Sequence, residues 1–194
     1  MSESRTDALN EAVSTPPCPP LTVPVSDADH RLGPLTAPVV LIEYGDYECP
    51  YCLNAQPVVK EVRRRLGDRL AFVFRHFPQN SIHPHASTAA QAAEAAAAQG
   101  KFWEMHDLLY RHQQELADLD LTHLALGLGL EVYRFESDMQ GAAAARHIRA
   151  DFAGGLESGV KGTPTFFING CRHDGPAEVE SIVAAIERSS RASF

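Results

Sequence analysis

The chain has 194 residues, enough for one domain or a domain carrying a large insertion, and 44% of them are apolar, enough to bury a sizeable core. A formal net charge of −8 argues against nucleic acid or an anionic membrane as the main partner, and no stretch approaches the roughly 18 consecutive apolar residues that a membrane span needs. Met1-Ser2-Glu3-Ser4-Arg5 leads into no apolar run of the kind a secretory signal requires, so the expectation is a soluble cytoplasmic protein, in which four cysteines point to catalysis or metal binding before structural cross-links.

Residues 1–20 are polar and end in Pro16-Pro17-Cys18-Pro19-Pro20, which reads as a mobile tail followed by a stiff extended piece. Leu21–Val25 reads as a short edge strand, where Pro24 is tolerated, and a turn follows around Leu32-Gly33-Pro34. Val39–Tyr44 is the central strand. Directly after it come Cys49-Pro50-Tyr51-Cys52 and then Ala55, Val58, Val59, Val62 and Leu66 at helical spacing. They predict a helix from about Cys52 to Leu66, kinked at Pro57 and stopped by Gly67. Leu70–Phe74 is the next buried strand, and strand, helix and strand together make a parallel crossover unit.

From His85 to about Glu157 the pattern is helical: Ala86–Gln99, Phe102–His112, Leu119–Leu126, Val132–Met139 and Ala142–Gly154. The alanine run reads as close helix packing, because alanine is the best helix former. Strand character returns at Thr165–Ile168, Asn169-Gly170 is a strong two-residue hairpin signal, and Cys171–His173 is the returning strand. Pro176 opens a final helix with an apolar face of Val179, Ile182, Val183 and Ile186. The organisation is then a tail (1–20), a βαβ half (21–84), a helical insertion (85–157) and a ββα half (158–194).

The two cysteines 49 and 52 sit where the central strand passes into its helix, with Cys49 at the helix's N-terminal edge. Unpaired backbone N–H groups and the helix dipole stabilise a thiolate there, and the thiolate is the species that attacks disulfides. A lone C-x-x-C is a weak signal; one between a strand and a helix of a βαβ pattern reads as a thioredoxin-like redox motif.

The stretch Glu43-Tyr44-Gly45-Asp46-Tyr47-Glu48-Cys49-Pro50-Tyr51-Cys52, together with Gly162-Thr163-Pro164-Thr165-Phe166-Phe167, resembles the DsbA-like branch of the thioredoxin superfamily. The resemblance runs from about Pro34 to Ile186, includes Arg75-His76-Phe77-Pro78 and His83-Pro84-His85, and extends to the domain appended to some sodium/proton antiporters. It implies an α/β thioredoxin fold with a helical insertion. It implies a thiol-disulfide oxidoreductase that exchanges disulfides with cysteine-containing proteins or small disulfides and is recycled by an unidentified redox partner, with no cofactor or metal. Cys49 would be the exposed nucleophile, Cys52 the resolving thiol and Pro164 a cis-proline facing the pair. Thr163 would offer its backbone to a substrate chain, with Pro50 and Tyr51 beside it. Glu43 would lie under the site and relay a proton to or from Cys52. Tyr51 lacks the cationic or strong N–H interaction that a histidine would supply, so the expected redox poise is intermediate.

Other readings compete. A zinc site at Cys49 and Cys52 needs two more ligands, and neither Cys18 nor Cys171 has a partner at close spacing. Cys171 reads as a small buried apolar residue and Cys18 as an exposed free thiol. His76, His83, His85 and His106 read as loop caps or satisfied polar contacts, Trp103 as insertion core, and Asp46 and Glu48 as a solvated acidic rim. Glu43 also reads as a buried carboxylate paired with a lysine or the backbone. From another functional class, the chain reads as a redox-sensing peptide-binding module without turnover.

Overall fold

The computed structural model describes residues 18–116 and 120–191. Strand β1 (His30–Leu32) is followed by β2 (Val39–Gly45), α1 (Pro50–Leu66) and β3 (Leu70–His76). Five helices come next: α2 (Ala86–Ala97), α3 (Phe102–Arg111), α4 (Leu121–Gly127), α5 (Val132–Met139) and α6 (Ala142–Glu157). Strands β4 (Thr165–Ile168) and β5 (Cys171–His173) and helix α7 (Val179–Arg191) complete the chain. The sheet order is β1-β3-β2-β4-β5; β2 runs parallel to β3, and every other pairing is antiparallel. This is the thioredoxin arrangement, with α2–α6 between its two halves.

Alternation along β2 explains the layering. Leu41 joins Phe72, Phe74 and Phe166 in the core beneath α1 and α7, whereas Ile42 and Tyr44 turn to the opposite face, where Phe77, Val160 and Phe167 pack. Glu43 is in register with Phe74 on one side and Phe166 on the other, so its carboxylate enters the face beneath α1. Helix α1 is amphipathic, burying Cys52, Ala55, Val59, Val62 and Leu66, and it stays helical across Pro57. Asn169 and Gly170 both take positive φ, 48° and 81°, as a two-residue hairpin requires.

Several boundaries differ from the sequence reading, and each has a physical cause. The edge strand is His30–Leu32, on β3, and Leu21–Val25 forms no strand. The carbonyls of Val23 and Pro24 are instead taken by Arg75, which also forks onto Asp29 at 2.6 and 3.2 Å. Arg75 thereby straps the 23–29 segment to the sheet. The one bridge in that region joins Pro20 to Cys171, with Leu21 N–H donating to Gly170 O and Arg172 N–H to Pro19 O. That pairing brings Cys18 alongside β5, where it forms a disulfide with Cys171, so Cys18 is not a free thiol and Cys171 is not simply an apolar filler. Helix α1 begins at Pro50, two residues earlier than expected, and α7 at Val179, three residues after Pro176. The expected tail lies outside the described residues as far as Pro17, as does the expected helix start at Leu119.

Candidate active site

Cys49 is the N-cap of α1 and Pro50 its first helical residue, a position where the missing N–H of proline costs nothing. The turn that delivers Cys49 begins at Gly45, where an added Cβ would stand 2.3 Å from the Phe74 ring, so only glycine fits. Across from it, the Thr163–Pro164 peptide bond is cis. Cys49 as a thiol donates to the Thr163 carbonyl at 3.3 Å, and the Thr163 hydroxyl accepts from Gln79 at 3.0 Å. Cys49 and Cys52 are both free thiols, and both are buried. Cys49 is 2% exposed, which corrects the expectation of an openly exposed nucleophile: the Thr163 segment closes over its sulfur. Tyr51 is 71% exposed.

The electrostatics separate the two sulfurs. The Cys52 thiol donates to Cys49, Thr163 contributes a second bond, and the N–H groups of Cys52 and Tyr51 add to these; against the cost of burial, they bring Cys49 down to about 5. Cys52 moves the opposite way, well above the ordinary thiol value, first because it is buried and then because Cys49 and Glu43 favour its proton. Glu43 is fully buried, and neither carboxylate oxygen has a hydrogen-bond partner. The expected lysine or backbone partner is therefore missing. Burial, with the Cys49 charge added, pushes Glu43 up to about 8. Near neutral pH the reduced site thus holds a Cys49 thiolate, a protonated Cys52 and a protonated Glu43.

The site is braced by residues that sequence reasoning missed or misread. Asp46 is not a solvated rim residue: it is 2% exposed and accepts from Glu48 N–H, Gln79 N–H and His83 Nδ1, each at 2.8 Å. It ties the cysteine turn to the 79–83 loop, which in turn holds Thr163 through Gln79. Glu48 is pinned by His85, at 2.7 Å from the backbone N–H and 3.0 Å from Nδ1. From the single 3₁₀ turn after α3, Gln113 donates to the carbonyls of Tyr47 and Cys49 at 2.8 and 2.9 Å. Burial keeps His106 neutral. It accepts at Nδ1 from Tyr47 OH and donates from Nε2 to Gln56, whose amide reaches Cys52 O. Nothing in the sequence marks Gln113, one of five consecutive polar residues from Arg111 to Glu115. The Asp46–His83 pair is readable only once β2 and the loop after β3 are known to lie side by side.

Beside the cysteines lies an open groove of about 630 Å³, walled by Tyr51, Ala55, Thr163, Pro164, Phe166 and Arg172 among others. It brings Tyr51, Thr163 and Pro164 of the expected substrate-contacting set together; Pro50 and Cys49 are not among its walls.

A thioredoxin family model matches residues 26–188. The chain belongs to the thioredoxin family. Among its curated relatives, the Na(+)/H(+) antiporter NhaA 3 of Salinispora tropica is 48% identical over 169 residues, and NhaA 1 of Mycolicibacterium vanbaalenii 43% over 167. These alignments cover 86% and 85% of this chain but only 26% and 27% of the antiporters, so the chain spans about a quarter of their length. Among solved structures, a thioredoxin-like oxidoreductase from Silicibacter pomeroyi superposes with a TM-score of 0.73 at 25% identity, covering 86% of this chain and 94% of that one. Wolbachia pipientis alpha-DsbA1 does so at 0.72 and 21%, covering 87% and 93%. Within the thioredoxin family the fold is thus the DsbA-like one, with the 79–85 loop, His106 of α3 and the turn at Gln113 supplying the braces on the cysteine turn. Among the described residues, no helix is long and apolar enough to cross a membrane.

Proposed function

We propose that this protein is a thiol-disulfide oxidoreductase acting on cysteine-containing proteins or small disulfides. The observation that carries the proposal is the split between two adjacent sulfurs: Cys49 lowered to about 5 at a helix N-cap, and Cys52 raised behind it. The Cys49 thiolate attacks one sulfur of a substrate disulfide and expels the other as a thiolate, leaving a mixed disulfide. That step removes the negative charge from Cys49 and with it one of the two causes that keep Glu43 protonated. Glu43 then loses its proton to solvent and, as a carboxylate, takes the proton of Cys52, which it holds when the Cys49 thiolate is restored in the next cycle. The Cys52 thiolate attacks Cys49 Sγ and releases the second substrate thiolate, leaving the Cys49–Cys52 disulfide and a reduced substrate. Thr163, with Pro164 and Tyr51 beside it in the groove, offers backbone groups to the extended substrate chain, and Pro50 borders the chain at the start of α1.

A cytoplasmic placement, as expected from the sequence, favours the reductive direction. The Cys18–Cys171 disulfide favours a second placement, an oxidising compartment, in which the same cycle runs in reverse.

Turnover tests the function. With glutathione as recycling thiol and a generic protein disulfide as substrate, many equivalents are expected to be reduced per molecule of protein. A single stoichiometric event followed by arrest would instead identify a redox-sensing peptide-binding module.

A further inference from the structure

A second polar cluster lies away from the cysteines, where β1, β3, α2 and α6 meet. The Nε2 atoms of His30 and His76 point at the same carboxylate oxygen, Oε1 of Glu94, at 2.5 and 2.8 Å. The two imidazole nitrogens and the carboxylate oxygen all lie within 4.8 Å of one another. The other oxygen, Oε2, accepts from His147 Nδ1 at 2.9 Å, which fixes the carboxylate so that Oε1 faces the two imidazoles. His76 and Glu94 are buried, and the His30 ring is stacked on Phe102 with centroids 3.5 Å apart. His76 is anchored through its backbone N–H, which donates to Asp151 at 2.9 Å. Each donor therefore sits on a rigid element and is held by packing or by a further hydrogen bond.

Nitrogen and carboxylate ligands bind zinc at about 2.0–2.2 Å in tetrahedral geometry, which separates neighbouring donor atoms by about 3.3 Å. The two nitrogen–oxygen spacings, 2.5 and 2.8 Å, are shorter than that, so the donors move apart by about 0.5–0.8 Å to admit an ion. A divalent ion entering here replaces two N–H···O contacts that compete for one oxygen, and each imidazole binds it as the neutral tautomer, with Nε2 as ligand and the ring proton on Nδ1. His30 and His147 are only partly buried, so the cluster has a solvent-facing side.

We propose that His30, His76 and Glu94 form a binding site for a divalent transition metal of the zinc class, with His147 orienting the carboxylate. The ion would staple the edge strand β1 to helix α2, tying the N-terminal segment to the helical insertion. The histidines that stand closest together in sequence, His83 and His85, are not part of it, because Asp46 and Glu48 occupy them.

The test uses the full chain under non-reducing conditions with Cys49→Ser and Cys52→Ser, so that thiols cannot chelate. Zn²⁺ is titrated by calorimetry, and Co²⁺ by its visible absorption. One equivalent is expected to bind, with the absorption of a four-coordinate nitrogen- and oxygen-ligated Co²⁺ and none of the intense thiolate charge-transfer bands. His30→Gln and His76→Gln are each expected to weaken binding by at least about tenfold. Circular dichroism establishes that each variant is folded. Should buried His76→Gln fail to fold, the edge-strand variant His30→Gln decides. The proposal is overturned if the Cys49→Ser, Cys52→Ser protein binds no ion, or if the ion binds equally well to folded His30→Gln.

Discussion

Two buried glutamates stand on opposite sides of β3 in sequence and meet opposite fates. Glu43 on β2 has no partner for either oxygen and is pushed up to about 8 by burial and by Cys49. Glu94 on α2 is nearly as buried but accepts from three imidazoles, of which His147 is the strongest donor, and these overcome the cost of burial and hold it well below the usual carboxylate range. The difference shows how one residue type serves reactivity or structure according to what surrounds it. A carboxylate left unsatisfied stores a proton that a neighbouring charge can release. A carboxylate satisfied three times over is a joint between elements.

The sharpest test of this division is to remove the nucleophile. Cys49→Ser is expected to lower exchange with a protein disulfide by roughly three orders of magnitude or more, measured as initial rate on folded protein. Residual activity near the parent level would place the chemistry elsewhere.

The two glutamates are next distinguished by the sign of their substitutions in urea unfolding. Glu94→Ala strands a partly buried His147 cation and two imidazoles, and is expected to cost about 2–3 kcal/mol. Glu43→Met removes a carboxyl that must be protonated to stay buried, and is expected to gain roughly 3 kcal/mol at neutral pH while slowing exchange. If both substitutions destabilise, the contrast fails.

Stability against pH refines it. Between its ordinary value of 4.5 and about 8, Glu43 holds its proton in the folded state and loses it in the unfolded state, so its contribution falls as pH rises, by at most about 1.4 kcal/mol per unit. Cys49, lowered from 9.0 to about 5, does the reverse: the unfolded state holds the extra proton, and its contribution rises with pH across that window. In the reduced protein the two oppose each other. Cys49→Ser is expected to show stability falling as pH rises above 5, over a window that ends below 8 because the Cys49 charge is gone, and Glu43→Met to show it rising, in unfolding curves taken under reducing conditions. Identical pH profiles in the two variants would remove the coupling between these groups.

The smallest effect is on the brace. Gln113→Ala leaves the carbonyls of Tyr47 and Cys49 without their side-chain donor and is expected to cost about 1–3 kcal/mol. The Cys49 alkylation profile would broaden with it if the turn loosens.

Much of this was legible in the sequence because it depends on local pattern. The alternation in Val39–Tyr44, the helical spacing after Cys52 and the Asn169-Gly170 turn each specify their element without outside help. What the sequence hid depends on long-range pairing. Strand β1 is three residues, His30-Arg31-Leu32, with no alternation to show, and it exists because β3 offers it an edge. The Cys18–Cys171 disulfide joins residues 153 apart, and Pro19 and Pro20 pair with β5 through the carbonyl of one and a single bridge at the other. Asp46 and Glu48 look like surface acids in the turn between strand and helix; only the return of the chain at His83 and His85 makes them anchors. Glu43 was placed beneath the cysteines by resemblance, but its lack of any partner belongs to the packing of Phe74 and Phe166 beside it.

The central claim, that Cys49 and Cys52 form a redox couple set by a stabilised thiolate, is tested most directly by titrating the purified protein in glutathione buffers of graded potential and following both cysteines by thiol labelling and peptide mass analysis. The account predicts a single two-electron transition of the Cys49–Cys52 pair between about −270 and −120 mV, the range spanned by thioredoxin and DsbA. A pair that stays reduced or stays oxidised across the whole series, or a transition confined to Cys18 and Cys171, would contradict it.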